Sequence, residues 1–174
     1  DVPLKQGIDL SSFQEKQTVS GEKPGRLGGS LALRILEAVG EAQGADGMIP
    51  VASAHVGLSL SSLGEAGVEL LESLAAQGVR FAVPATTNVL SFERTDQASD
   101  DARLQRRALD ALVAMGARDN CSCNPFVQGF APRRGEAVAW SESATAPYVN
   151  GVLGARTNRE GATALASALA GVTP

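Results

Sequence analysis

Residues 48–83 carry the clearest structural pattern in this 174-residue chain and read MIPVASAHVGLSLSSLGEAGVELLESLAAQGVRFAV. The apolar run Met48–His55 predicts a short strand that ends in small polar residues. Apolar residues three and four apart in Leu63–Gln77 predict a helix that ends before Gly78. Val79–Val83 predicts a second strand. A strand, a helix and a strand in this order are typical of parallel sheets, because parallel strands need a crossover between them.

The same alternation continues on both sides of this unit. Further helices are predicted over Arg26–Ala42, Ser99–Met115, Ala146–Leu153 and Ala162–Ala170, and further strand cycles around Asp119–Pro125 and Ala137–Ser143. Ser99 is suited to be the N-cap of its helix, since acidic residues follow it in the first turn. The pattern predicts an α/β fold with a mainly parallel sheet flanked by helices on both faces. We expect one domain over 26–174, preceded by an N-terminal arm at 1–25.

Small polar residues follow each predicted strand. They are Ser53–His55, Thr86–Asn88, Cys121–Asn124 and Ser141–Ser143. Ligands of parallel sheets bind beyond the carboxyl ends of the strands, so these groups predict a binding site at one edge of the sheet. Ordinary turns favour the same residue types, because their side chains bond to the nearby backbone, and that explanation stays open for part of the set.

Charge and hydropathy exclude several functional classes. The 15 basic and 19 acidic residues give a formal charge of −4, so the chain has no overall basic field that would attract nucleic acid. No stretch reaches the roughly 18–20 consecutive apolar residues that a membrane helix requires. The beginning of the sequence also lacks a basic region followed by an apolar block, and we therefore expect a cytoplasmic protein without membrane contact.

Cys121 and Cys123 are candidate metal ligands. A single residue separates them, a spacing that seldom gives a relaxed disulfide, so they are free thiols or ligands. Thiolates at the mouth of a parallel sheet can bind a soft metal or an iron–sulfur cluster. Two neighbouring thiolates cannot complete a cluster, so any remaining ligands are expected outside this chain. The structural alternative is a pair of small, partly buried thiols.

His55 and two arginines are the other groups with distinctive chemistry. His55 is the only histidine, and it can act as an acid, a base or a substrate partner, or it can simply be satisfied by the backbone. The forks of Arg156 and Arg159 suit a carboxylate or phosphate, although they can also pair with Glu136, Glu142 or Glu160. The sequence contains no Gly-x-Ser-x-Gly elbow and no phosphate-binding loop, so neither a serine hydrolase nor a nucleotide site is predicted.

Four segments together resemble one known family. In their order and spacing, Ile49–His55, Pro84–Asn88, Cys121–Phe126 and Ala139–Gly161 are similar to the aconitase X family, and the resemblance extends over roughly residues 26–174. It implies an aconitase-type α/β domain that is the first part of a longer large portion. It also implies a hydro-lyase that removes water from a hydroxy acid, with cis-3-hydroxy-L-proline and mevalonate 5-phosphate as substrate types.

The resemblance further implies a cofactor, partners and site residues. The cofactor is an iron–sulfur cluster ligated through Cys121 or Cys123, and the partners are the remainder of the large portion and a smaller swivelling portion. That smaller portion supplies the catalytic base, so no residue here is named as the base. The implied substrate-pocket residues are His55, Thr86, Thr87, Asn88, Ser141, Ser143, Asn150, Arg156, Asn158 and Arg159.

Two other functions remain open on the sequence. One is a cluster-free binding or scaffolding module for a small anionic ligand. The other is a small hydrolase that uses His55. Under the dehydratase interpretation, this chain alone is expected to be inactive.

Overall fold

The computed structural model describes residues 26–89, 99–140, 142–157 and 161–174, so the predicted arm at 1–25 lies outside the described residues. The helices are α1 Arg26–Gln43, α2 Leu60–Ala76, α3 Asp100–Ala114, α4 Thr145–Tyr148 and α5 Gly161–Ala170. The strands are β1 Ile49–Pro50, β2 Ala54–Gly57, β3 Ala85–Asn88, β4 Ala117–Arg118, β5 Ala139–Trp140 and β6 Val172–Thr173. A 3₁₀ turn, Pro125–Gln128, follows β4, and a π-helical turn, Val149–Leu153, continues α4.

Four of the strands form a parallel sheet in the order β4-β3-β2-β5. The separate strands β1 and β6 pair antiparallel. The predicted α/β fold with a mainly parallel sheet is confirmed. Because the four strands run in the same direction, their last residues lie along one edge, which we call the carboxyl edge. The chain leaves this edge at Gly57, Asn88, Arg118 and Trp140.

Helices cover the sheet and bury its apolar side chains. Val56 of β2 packs in one cluster with Val68 and Leu71 of α2 and Leu112 of α3. A second cluster joins α1 to α5, with Leu36 at 0% exposure. Each fully buried aliphatic side chain of this size stabilises the fold by about 1.5–3 kcal/mol relative to exposure.

Ion pairs on the surface join α2 to α3. Both carboxylate oxygens of Glu72 accept from Arg107 at 2.8 Å, and Glu65 accepts from the same guanidinium at 2.5 Å. The hydrogen bonds from Arg107 hold the pKa of the Glu72 carboxyl below its ordinary value. These exposed charges contribute little to stability in water, so the buried cluster sets the packing of the two helices.

Two strand predictions were wrong in position. Val79–Val83 is not a strand, since the backbone amides of Phe81 and Ala82 donate to Met115 O and Ala168 O at helix ends. The strand is the next segment, Ala85–Asn88. Likewise, β2 begins only at Ala54, six residues after the predicted start at Met48. His55, Thr86 and Thr87 consequently lie inside strands and are buried, whereas the sequence predicted them in loops.

The helix predictions held, with one difference in the buried face. Ser99 caps α3 as predicted, since its side chain accepts from Ala102 N at 3.1 Å. In α1, however, Leu31 and Ile35 are 42% and 40% exposed. The helix instead buries Ala32 and Leu36, so that it turns a narrower face toward α5 than the apolar spacing suggests.

Candidate functional site

The only histidine lies beneath the carboxyl edge. His55 is 0% exposed, and its Nδ1 lies 2.7 Å from Thr86 Oγ1 on the neighbouring strand. Its Nε2 lies 3.2 Å from Glu142 Oε2. The ring is tilted against Trp140, with 5.6 Å between centroids. The His55 side chain is fully buried. Among the described residues, Glu142 is the hydrogen-bond partner that links it to the carboxyl edge.

Glu142 joins the ends of three strands. Its Oε1 accepts from Asn88 Nδ2 at 2.7 Å, and its Oε2 faces His55. The side chain is 21% exposed, so the carboxylate is accessible although it is held on two sides. Sequence reasoning placed Glu142 within the polar segment Ser141–Ser143 after a predicted strand, and otherwise considered it as an arginine partner. Its position two residues after the end of β5 was the available signal.

Thr87 has a structural role in this arrangement. It is 0% exposed; its amide donates to Asn120 Oδ1 at 2.9 Å and its hydroxyl donates to Arg118 O at 3.3 Å. Its carbonyl accepts from Ser122 N at 3.2 Å. These bonds fasten residues 119–124, which we call the cysteine segment, to the end of β3.

The two thiols lie in this cysteine segment. Cys121 and Cys123 are both half-buried and outside any disulfide, and the Cys121 thiol lies 3.5 Å from Asp119 Oδ1. Cys121 has a φ of 36°, a left-handed conformation that residues with a side chain seldom adopt. No group of three His, Cys, Asp or Glu side chains able to hold a metal ion occurs in the part of the chain that the structure describes.

An open groove of about 770 Å³ runs beside the cysteine segment. Its lining includes Gly116–Asn120, Gln128 and Phe130, and the Arg118 guanidinium lies 5.4 Å from the Phe130 ring centroid. Neither cysteine is among its lining residues. The groove therefore lies next to the thiols rather than around them.

Arg156 lies in a turn that Asn150 and Thr157 hold in place. The Asn150 amide donates to Ala146 O and Thr157 O, and its carbonyl oxygen accepts from Thr157 N, all at 3.0 Å. The Arg156 backbone pairs with Glu136 O at 2.8 Å, while its side chain is exposed. The guanidinium makes no ion pair with Glu136, Glu142 or any other described residue. It is therefore available to an anion.

Aromatic contacts join the cysteine segment to the Arg156 turn. Phe126, just after the thiols, stacks on Tyr148 with 4.3 Å between centroids. Phe126 also packs against a buried cluster that contains Val138, Trp140, Val149 and Ala155. Because Ala155 directly precedes Arg156, the thiols and the guanidinium are anchored on the same cluster.

Of the remaining predicted site residues, the structure describes Ser143 alone. Ser143 is exposed in the turn before α4. Ser141, Asn158 and Arg159 lie outside the described residues, as does Glu160. The described candidate residues thus form three groups: the His55–Glu142 pair with Thr86 and Asn88, the thiol pair, and Arg156 with its supporting Asn150 and Thr157.

Thr157→Val is expected to destabilise the fold by about 1–3 kcal/mol, because a buried backbone amide loses its acceptor. The Thr157 hydroxyl accepts from Trp140 N at 2.8 Å and donates to Trp140 O at 3.0 Å. Urea unfolding followed by circular dichroism measures the loss. Thr157→Ser keeps the hydroxyl and serves as the control. Equal stability of the valine and serine variants would show that these bonds do not matter.

Comparisons with known proteins identify sequences similar to this chain. The family model described as aconitase X first domain matches residues 7–174. The phosphomevalonate dehydratase large subunit of Methanothermobacter thermautotrophicus is 43% identical over 150 residues, covering 82% of this chain and 38% of that protein. The cis-3-hydroxy-L-proline dehydratase of Pseudomonas aeruginosa is 34% identical over 134 residues, covering 74% of this chain and 23% of that protein.

A solved structure has the same fold. The holo form of Thermococcus kodakaraensis aconitase X matches with a TM-score of 0.74 and 30% identity, covering 98% of this chain and 42% of that one. The chain thus spans about two-fifths of the archaeal large subunits it matches. Among the described helices, none has both the length and the apolar character to cross a bilayer.

Proposed function

The chain belongs to the aconitase X family, and on that premise we propose that it is part of a hydro-lyase that removes water from a small hydroxy acid. The observation that carries the proposal is the common anchoring, on one buried cluster, of the thiol segment and of the Arg156 turn, whose guanidinium has no ion pair among the described residues. A dehydratase of hydroxy acids needs a group that binds the anion close to a group that assists departure of the hydroxyl.

Arg156 is proposed to bind the anionic group of the substrate. A guanidinium forms two parallel hydrogen bonds to a carboxylate or phosphate, and no described acidic residue competes for it. Asn150 fixes the backbone at Thr157, directly after the arginine, so that the arginine loses little freedom on binding beyond that of its own side chain.

The thiol pair can supply part of the ligands of an iron–sulfur site. Cys121 and Cys123 are soft ligands with part of their surface exposed, and the bonds of Thr87 and Ser122 hold their segment in place. Two thiols are fewer than a cluster requires, so the other ligands are proposed to come from polypeptide beyond the described residues. When bound, such a cluster supplies a Lewis-acidic iron for the substrate hydroxyl.

The proposed assembly contains more than this chain. Relatives named as large subunits imply a smaller subunit, and this chain spans about two-fifths of their length. We call the chain together with the rest of that length and a small subunit the completed enzyme. The catalytic base is proposed to come from the small subunit.

The substrate class is a small hydroxy acid that carries one or more negative charges. The higher identity to a phosphomevalonate dehydratase, 43% against 34%, favours mevalonate 5-phosphate over cis-3-hydroxy-L-proline. Both compounds present a carboxylate to an arginine, and the phosphate adds a second anionic group.

Turnover of the two compounds tests the function. We expect the completed enzyme, assembled without oxygen, to dehydrate mevalonate 5-phosphate faster than cis-3-hydroxy-L-proline, and the chain alone to dehydrate neither. If the completed enzyme turns over neither compound, the proposal is wrong. Calorimetric binding of mevalonate 5-phosphate without turnover would instead support a cluster-free binding module.

Replacement of the thiols tests their part in the site. The double variant Cys121→Ser, Cys123→Ser of the completed enzyme is expected to lose roughly half or more of its iron and sulfide, because serine is a poor ligand for a soft metal. Iron and acid-labile sulfide are measured after anaerobic reconstitution, and the single variants identify the ligand. Val127→Ala, in the next turn and 74% exposed in the parent, is the control. Full iron in the double variant would exclude both cysteines.

A further inference from the structure

Glu142 is fixed at the carboxyl edge through both its backbone and its side chain. Its carbonyl accepts from Thr145 N at 3.1 Å, from Ala146 N at 2.9 Å and from the Thr145 hydroxyl at 3.1 Å. Its carboxylate lies between Asn88 Nδ2 and His55 Nε2. A carboxylate held in this way needs little reorganisation before it acts on a ligand at the edge.

The strand next to it leaves room for this carboxylate. Gly57 is the last residue of β2, and a Cβ atom built on it would overlap the Glu142 carboxyl group. Gly57 does not have a positive φ, so the backbone conformation does not require glycine here. A side chain at position 57 would occupy the space that the Glu142 carboxylate fills.

His55, the buried partner of Glu142, can keep both of its hydrogen bonds whether its imidazole ring is neutral or charged. A carboxylate only accepts, so His55 donates from Nε2, and Nδ1 then faces the Thr86 hydroxyl. That hydroxyl donates to a neutral imidazole and accepts from a charged one. The His55–Glu142 pair can therefore gain or lose a proton without breaking either hydrogen bond.

The three residues in this chain of hydrogen bonds differ in their exposure to solvent. Thr86 and His55 are 5% and 0% exposed, whereas Glu142 is 21% exposed. Of the three residues, Glu142 is the one whose side chain is accessible at the carboxyl edge, beyond which the cysteine segment also lies. Asp119, the acidic residue nearest to Cys121, is exposed and contacts that thiol only at 3.5 Å, so it is not held in a comparable way.

We propose that Glu142 transfers a proton to the substrate hydroxyl, which then leaves as water. His55 is the positioning residue, whose Nε2 shares this proton with Glu142 through their hydrogen bond. The inference rests on the proposed hydro-lyase function. In the step, the C–O bond breaks and its electrons stay on oxygen, which takes the proton of Glu142 and departs as water. The electron pair of the neighbouring C–H bond forms the double bond, and its proton goes to the base. Solvent returns a proton to Glu142.

Glu142→Gln in the completed enzyme tests this role. Glutamine keeps the size of the side chain, accepts a hydrogen bond from Asn88 and can donate one to His55 Nε2. Its amide group has no acidic proton that could be transferred to the substrate. We expect kcat to fall about a hundredfold with KM nearly unchanged, as for loss of a general acid. Glu69→Gln, which removes the same charge from an exposed position on α2, should keep full activity. A kcat close to the parent value, or a loss confined to KM, would overturn the proposal.

A change of leaving group separates proton donation from positioning. Fluoride leaves without needing a proton, so an analogue with fluorine in place of the hydroxyl should be eliminated by Glu142→Gln at nearly the parent rate. An equal slowing of both reactions would mean that Glu142 only positions other groups. Gly57→Ala should lower dehydration in the same selective way, because the methyl group displaces the carboxylate.

The state of His55 provides a readout independent of turnover. It is the only histidine of the chain, so its ring nitrogens give a single set of ¹⁵N signals in the 174-residue chain. In Glu142→Gln the proton is expected to move from Nε2 to Nδ1, while the ring stays bonded to Thr86. An unchanged spectrum would contradict the contact between the two side chains. Failure of the parent enzyme to turn over substrate refutes the proposed function, whereas loss of this coupling refutes only the inference.

Discussion

Trp140→Ala is expected to lower the free energy of unfolding by about 3–5 kcal/mol, the range for truncation of a large buried aromatic side chain. Trp140 is 1% exposed and lies in the buried cluster with Val138, Val149 and Ala155. Its indole Nε1 donates to Ser53 Oγ at 3.1 Å, so the truncation also leaves that hydroxyl without its donor. Both the cavity and the lost hydrogen bond act in the same direction.

Urea unfolding followed by far-ultraviolet circular dichroism measures this loss, since Trp140 is the only tryptophan and its removal abolishes the tryptophan fluorescence. Val152→Ala, in the neighbouring π-helical turn and 64% exposed in the parent, is the matched control and should change stability by less than about 0.5 kcal/mol. A loss below about 1 kcal/mol for Trp140→Ala would mean that the cluster does not support the edge of the sheet.

The sequence predicted the fold class because strand and helix periods alternate clearly in it. The positions of the strands were harder to predict, as Val79–Val83 and Ala85–Asn88 illustrate. The first segment has the apolar, β-branched residues that favour a strand, but its amides bond to helix ends. The second is short and polar, and it forms the centre of the sheet because Thr86 and Thr87 find buried partners there. Those partners are remote in sequence.

The candidate site was predictable only in part, because the partners of its side chains are also remote in sequence. The polar residues after strands pointed to the carboxyl edge of the sheet, where Asn88 ends β3 and the cysteine segment follows β4, whereas Arg156 pairs with Ala137 ahead of β5. Glu142 lies within the predicted segment Ser141–Ser143, but its particular importance was not predicted, since it comes from two contacts at sequence distances of 54 and 87 residues. Asn150 was predicted to touch substrate, whereas its side chain is used by Ala146 and Thr157. A residue type indicates chemistry, but only the fold shows which partner uses it.

Arg156→Ala in the completed enzyme is expected to raise KM for mevalonate 5-phosphate about a hundredfold. Two charge-assisted hydrogen bonds to an anion are together worth about 3 kcal/mol, and each 1.4 kcal/mol is a factor of ten. The expected change is mainly in KM, because the anion keeps its charge throughout the reaction and is bound equally in ground and transition states. Steady-state kinetics at fixed ionic strength measure both constants.

The lysine variant at this position tests the geometry of the guanidinium as well as its charge. Arg156→Lys keeps the charge but loses the planar fork, so its KM should lie between those of the parent and Arg156→Ala. Arg103→Ala removes an exposed arginine from α3, far along the chain from the edge, and should leave KM unchanged. If Arg156→Ala binds substrate as tightly as Arg103→Ala, the guanidinium is not the anion-binding group.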